Sequence, residues 1–313
     1  MPAAAQHPTI PPRALALLAV LTLVWGTNWP LFPLAMRELS VWTFRAATAL
    51  GGGLLLLGIA RLRGLDLVIP RSHWRTVAGS AFFYLFIWNI AAAWSATLIP
   101  SGQTAVLGFT MPLWSALFSW LLFGERLTPR LLAALGLGGM AVGLLMIPAL
   151  GRYAEAPLGF ALGLVAGIGW ALGTLLLQRR PVGVPALVLT GWQLLLTALP
   201  ITSIALVEGR AAWFVPGWQT VLVVAYITIV PMSLGNLCWV TVVRLVPANV
   251  LGVTTILVPV VAMVSGALVH GEPLGLLQIA AMGCCVGALG LVLLRPRTGT
   301  RRAGAGASVT SDR

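Results

Sequence analysis

The apolar and polar positions of this chain follow neither the two-residue period of a half-buried strand nor the polar stripe of a soluble helix. Charges, prolines and Gly/Asn clusters instead cut it into ten long apolar runs. At 1.5 Å per helical residue, about 20 residues cross roughly 30 Å of hydrocarbon. In order, the runs are Ala14–Ala35, Val41–Ala60, Trp74–Leu98, Ser101–Phe123 and Leu131–Ala149, followed by Leu158–Leu177, Pro185–Val207, Trp218–Val243, Ala248–His270 and Leu274–Leu294. The pattern predicts an all-α membrane protein with ten transmembrane helices. Runs this long and continuous exclude the short alternating strands of a membrane β-barrel.

The ten runs form two sets of five. Asn89, Pro100, Pro112, Gly124, Glu125, Leu127, Gly136 and Gly143 recur 147 residues later as Asn236, Pro247, Pro259, Gly271, Glu272, Leu274, Gly283 and Gly290. Matches at one offset across three consecutive helices mark an internal repeat. Trp25 with Trp170, and Arg45 with Gln193, extend it at slightly different offsets. Five is odd, so the second copy enters the membrane from the opposite side and the repeats are inverted. Residues 14–149 form the first repeat and 158–294 the second. Residues 295–313, rich in Gly, Ala, Ser, Thr and Arg, read as a disordered cytoplasmic tail. Inverted repeats are the architecture of secondary transporters, whose halves exchange conformations around a midplane site.

Composition narrows the chemistry. Only 8% of the 313 residues are charged and 59% are hydrophobic, whereas a soluble domain carries roughly 25% charge. All nineteen basic residues are Arg, which excludes lysine Schiff-base chemistry and with it a retinal protein. The net charge of +12 is explained by topology rather than nucleic acid. Fifteen arginines fall on one set of flanks, three (Arg37, Arg152, Arg210) on the other, and Arg45 lies inside the second run. The positive-inside rule then places both termini in the cytoplasm of a bacterial inner membrane. Cys238, Cys284 and Cys285 lack metal or disulfide spacing and read as packing residues. No catalytic triad, HExxH or paired-carboxylate constellation is present, so neither an enzyme nor a cofactor or metal site is expected.

Two five-helix copies, Trp25-Gly26-Thr27-Asn28 in the first helix, and Pro112 leading into Gly124-Glu125-Arg126-Leu127-Thr128 after the fourth resemble the drug/metabolite transporter superfamily, in its EamA-type exporter branch. The second copy departs from this with Pro273 in place of Arg126. The resemblance implies an alternating-access exporter with a central cavity lined by helices 1, 3, 4, 6, 8 and 9, and with helices 5 and 10 at the periphery. It implies small-metabolite substrates, and the Trp-rich, Lys-free interior points to aromatic or other apolar amino acids. A lipophilic drug or nucleotide-sugar carrier is the alternative, and a membrane enzyme acting on lipid head groups is a remote one. The expected partners are the substrate and the bilayer, with the protein a monomer or weak homodimer.

Polar groups at membrane depth face the bundle interior. Those available to a substrate are Asn28, Tyr84, Asn89, Gln103, Thr104 and Gln193 on the first seven helices, and Tyr226, Ser233, Asn236, Thr254 and Thr255 beyond them. Each is either a ligand or interhelical glue. Asn89 and Asn236 occupy equivalent repeat positions and are expected either to line the cavity or to bond across the repeat interface. Trp25 with Trp29, and Tyr84 with Trp88, are spaced by four and share helix faces. Trp88, Trp114 and Trp170 lie deep enough for a cavity, while Trp74, Trp213 and Trp218 read as an interfacial belt. Arg45 could contact a substrate carboxylate, but snorkelling to head groups or pairing with Glu38 is the favoured expectation.

No carboxylate lies near mid-helix, which favours gradient-following transport over carboxylate-based proton coupling. Glu125 and Glu272 read as helix-end anchors that accept from the next helix's amides. Pro30, Pro112, Pro231 and Pro259 are expected to kink their helices and act as hinges. The links at Pro100 and Pro247 should form hairpins that close the cavity alternately. Gly139-xxx-Gly143 and Gly283-xxx-Gly287 are expected seams of close helix contact.

Overall fold

A computed structural model describes residues 11–99, 101–147, 156–208, 216–246, 255, 257–270 and 274–293, with the backbone alone at 33, 101–103, 270, 289, 292 and 293. These residues are nearly all helical. Eight spans are long and apolar enough to cross a membrane: α1 (Pro12–Leu31), α2 (Val41–Leu62), α3 (Arg71–Leu98), α4 (Thr104–Phe123), α5 (Pro129–Met146), α6 (Pro157–Arg179), α7 (Ala186–Val207) and α8 (Trp218–Val243). Two shorter apolar helices, α9 (Leu257–Val269) and α10 (Leu276–Ala288), bring the described helices to ten. The tail, Pro100, Gln103's side chain, Trp213, Pro247, Thr254 and Glu272 fall outside what is described.

The apolar runs become helices for the reason read from the sequence, yet several are interrupted. In α1 the helix Pro12–Gly26 ends at Thr27 and Asn28 before a tight turn, Trp29–Leu31. α4 restarts at Met111 after a break at Phe109 and Thr110. In α3 and α8 the middle is π-helical, over Ala81–Ile87 and Thr228–Gly235. The starts of the two π segments differ by the 147-residue repeat offset, and each runs directly into the helical turn carrying Asn89 or Asn236.

The prolines fall into two groups. Pro30 and Pro112 open helical segments, where the missing N–H would have no partner anyway. Pro231 lies inside the π segment of α8, Pro259 is buried in α9, and Pro200 lies within α7.

Packing reflects the repeat: α2 packs along its counterpart α7, and α5 along its counterpart α10. In the first pair, glycines and leucines interlock reciprocally. A Cβ on Gly53 would lie 2.7 Å from Leu195, and one on Gly191 would lie 2.7 Å from Leu57. The second pair keeps only part of the seam expected there: a methyl on Gly287 would meet Leu137 at 3.4 Å, whereas one on Gly139, Gly143 or Gly283 would meet nothing within 4 Å. Ala134, Leu135, Ala141, Ala281 and Cys285 also make that contact.

The close glycine seam is on α6, the helix at the centre of the bundle. Gly163 faces Leu107, Gly167 faces the Gly108 carbonyl, and Gly169 and Gly173 face the π segment of α3. Small residues let helix backbones approach where lipid provides no hydrophobic drive between them.

The loop anchors also differ in detail. Gly124 takes φ +64° to end α4, a conformation glycine adopts without strain. Glu125 pairs with Arg179, which stacks over Phe123 at 3.9 Å. The cap on α5 is Thr128, whose hydroxyl accepts from the Leu131 N–H at 3.2 Å. Trp218 is 68% exposed, as a belt residue would be. Trp74 instead donates to the Ile69 carbonyl and packs on Trp192 at 5.3 Å, tying the α2–α3 loop to α7.

Candidate functional site: an aromatic cavity between the repeats

A cavity of about 70 Å³ lies among α1, α2, α3, α4, α6 and α8. Both repeats contribute to it. Trp170 from α6, 1% exposed, forms its hub. Its ring centroid lies 4.9 Å from Trp88, 5.0 Å from Trp239, 5.3 Å from Trp25 and 5.5 Å from Phe109, all near edge-to-face. That is the arrangement aromatic quadrupoles prefer. Trp25 and Trp170, the pair matched between the repeats, thus touch. Trp29 extends the wall, stacking on Phe32 at 5.6 Å and meeting Phe109 at 6.3 Å.

The π segments set the phase of the polar lining. A π-helix closes its hydrogen bonds over five residues, and along α8 the lining positions Ile227, Pro231, Met232 and Asn236 include two adjacent residues, Pro231 and Met232, within the π segment. Two carbonyls of the π segment in α8 accept side-chain donors: Trp25 Nε1 donates to Pro231 O at 3.1 Å, and Ser233 Oγ donates to Thr228 O at 2.6 Å. Asn89 donates to Leu85 O and Asn236 to Met232 O, at 2.8 and 2.6 Å. The Tyr84 hydroxyl donates to Asn236 Oδ1, joining the two repeats across the cavity. Both alternatives open for this asparagine pair hold for Asn236, which lines the cavity and bonds across the interface.

Some lining groups have no partner. The Oδ1 atoms of Asn28 and Asn89 and the Trp170 Nε1 are buried without a hydrogen bond. So is Arg45 Nε. Arg45 is 4% exposed, with its guanidinium 4.3 Å above the Phe32 ring and 5.2 Å from Phe44. This corrects the snorkelling expectation. Glu38 does not pair with it either: its carboxylate accepts from the Gly217 N–H at 2.9 Å and from the Thr220 hydroxyl. These two bonds hold the Glu38 carboxyl below its ordinary value.

Other expected site residues sit elsewhere. Thr104 bonds Ser95, which also donates to Gly159 O at 2.8 Å, a knot of α3, α4 and α6. Gln193 donates to Ser80 at 2.7 Å, Trp114 to Thr110 at 3.0 Å, and Thr255 is buried. Tyr226 is 38% exposed, on the outer face of α8. The sequence reading did not single out Trp239, Phe109 or Phe32. Trp239 had a usable signal, since it lies one helical turn from Asn236.

The EamA-like transporter family model matches residues 12–147 and again 157–294. The chain belongs to the EamA-like transporter family. It is 30% identical over 296 residues to the uncharacterized protein PA1977 of Pseudomonas aeruginosa, covering 93% of this chain and 98% of that one. The uncharacterized transporter YvbV of Bacillus subtilis shares 27% identity, with 90% and 91% coverage. The uncharacterized inner membrane transporter YedA of Escherichia coli shares 25%, with 88% and 89%. A solved crystal structure superposes with a TM-score of 0.73 at 22% identity, covering 89% of this chain and 96% of the other, which speaks for the fold alone. Family membership makes the chain a multi-pass membrane transporter, built from a five-helix unit used twice.

Proposed function

We propose that this transporter exports small metabolites bearing an aromatic or other apolar side chain, aromatic amino acids foremost, by alternating access between its two repeats. The observation that carries the reading is the cavity. It is enclosed by both repeats, walled by Trp25, Trp29, Trp88, Phe109 and Trp170, and faced by unpartnered Asn28 and Asn89 carbonyl oxygens. Flat rings pack an aromatic side chain by edge and face, and amide oxygens accept from an ammonium without holding it by full charge pairing. A nucleotide sugar fits less well, because among the described residues Arg45 is the only cation on the cavity wall.

In this reading the termini are cytoplasmic, the membrane is the bacterial inner membrane, and substrate moves down its gradient. Among the described residues the cavity wall carries no carboxylate, which supports uncoupled movement.

Counterflow in proteoliposomes tests the proposal. Phenylalanine, tryptophan and leucine should exchange, while aspartate, arginine, UDP-glucose and a quaternary-ammonium drug should not. Trp170→Ala should raise KM for phenylalanine at least about tenfold, because several ring contacts of about 0.5–1.5 kcal/mol each are lost. Exchange of the drug or the sugar nucleotide alone would replace this reading with the corresponding alternative.

A further inference from the structure

We infer that Arg45 is a carboxylate-binding residue, so that the transported molecule is an aromatic carboxylate rather than a neutral or cationic aromatic. The inference rests on the reading of the aromatic cavity as the substrate site and deepens it.

A guanidinium carries five donors in a planar fork and stays charged. In this protein it is removed from solvent at the cavity wall, and among the described residues no carboxylate lies within ion-pairing distance of it. Its Nε finds no acceptor, and its neighbours are the faces of Phe32 and Phe44. Ring faces attract a cation but give an N–H fork no oxygen to bond. A buried charge is strongly destabilising unless paired and hydrogen-bonded, and a ligand carboxylate supplies both. The repeat counterpart sharpens the point: Gln193 is neutral and its amide nitrogen is already bonded to Ser80. The fold accommodates an uncharged residue at the equivalent place, so the charge is particular to the cavity side of α2.

The surroundings fit one orientation of a zwitterion. The carboxylate lies at Arg45, the ring against Trp88, Phe109 and Trp170, and the ammonium towards the free Oδ1 atoms of Asn28 and Asn89. The two amide oxygens stabilise the ammonium less than the guanidinium stabilises the carboxylate, because charge-assisted bonds between two ions are the stronger kind. An acid lacking the amine therefore keeps most of its affinity, and an amine lacking the acid loses most.

Calorimetric titration of the purified full chain with L-phenylalanine, 3-phenylpropionate and phenethylamine measures this. Wild type should bind both acids, with phenethylamine weaker by about 30-fold or more. Arg45→Gln should weaken both acids by about 30-fold and leave phenethylamine within about threefold. Arg45→Lys, which keeps the charge without the fork, should fall between. Without ligand, Arg45→Gln should unfold at the same or a higher temperature than wild type, since an unpaired buried charge is removed. Equal wild-type affinity for acid and amine, or an equal loss for all three probes in Arg45→Gln, overturns the inference while leaving the aromatic site standing. A lower ligand-free unfolding temperature for Arg45→Gln makes Arg45 a structural pin on Phe32 and overturns it as well. If none of the three aromatic probes binds wild type, the underlying reading of the cavity fails and the inference falls with it.

Discussion

Replacing Gly173 by alanine tests the packing that holds the cavity. Gly173 lies where α6 crosses the π segment of α3, and a Cβ there would stand 2.5 Å from Tyr84 N, 2.6 Å from its Cβ and 2.9 Å from its Cα. Backbone cannot swing aside as a side-chain tip can. The helices must part by about 0.9 Å to bring the nearest of these to 3.4 Å, where ordinary contact begins. Overpacking of this kind typically costs about 1–3 kcal/mol, and the helix-forming gain of glycine to alanine returns about 0.5–1 kcal/mol. A net loss of roughly 0.5–2 kcal/mol should lower the unfolding temperature by a few degrees.

Because Tyr84 carries the hydrogen bond to Asn236, the displacement should also raise KM. Gly139→Ala and Gly143→Ala are the matched controls: neither methyl meets an atom within 4 Å, so both variants should unfold at or slightly above the wild-type temperature. Thermal unfolding of the three variants in one detergent decides the matter. A Gly173→Ala protein as stable as wild type, or equal losses at Gly139 and Gly143, would falsify the assignment of the close seam to α6.

Tyr84→Phe leaves Asn236 Oδ1 without its donor and should cost about 0.6 kcal/mol, the average for interhelical hydrogen bonds in membranes, and no more than about 1.7 kcal/mol, read as a shift in denaturant or thermal midpoint. Thr128→Ala removes the cap of α5 and should cost about 1 kcal/mol by the same measurement. The Glu38 carboxyl, held low by Thr220 and Gly217, should make a small stabilising contribution. That contribution is complete above the ordinary value of 4.5 and is lost as pH falls through the lower folded value. A Glu38→Ala protein should therefore differ from wild type at pH 7 and converge with it in acid, and a gap that widens on acidification would count against this.

The ten helices and their repeat were legible because lipid forces long apolar runs and because the 147-residue offset survives in prolines, glycines and one asparagine. Trp25, Asn28, Trp29, Tyr84, Trp88, Asn89, Trp170 and Asn236 gather around one cavity, since polar and aromatic groups at membrane depth have little reason to face lipid. What stayed hidden depended on rotation about helix axes. The π segments insert a step of five where a 3.6-residue period is assumed, and no local residue pattern announces them. Glycine spacing misled for a related reason: Gly139-xxx-Gly143 has the motif but faces open space, whereas the seam on α6 is recognisable only once its neighbour is known. Arg45 stands one turn inside α2 yet turns inward rather than towards head groups. Its inward direction is set by the buried stripe of Thr48, Ala49, Gly52 and Leu56 that it shares.

The two repeats are alike where the backbone acts and unlike where a ligand would rest. Each uses a π segment to bring an asparagine to the cavity, and each lays its second and fifth helices against their counterparts. Such a frame gives two halves of similar build, the symmetry on which the proposed alternating access draws. The lining breaks the symmetry. The first repeat holds Arg45 bare, while the second holds Gln193 tied to Ser80. Asn89 keeps its oxygen free, while Asn236 spends its own on Tyr84. A symmetric lining would accept a substrate in two opposite orientations and prefer neither. With Arg45 and the free Asn28 and Asn89 oxygens all in the first repeat, a zwitterion bound as proposed has one favourable orientation in this cavity.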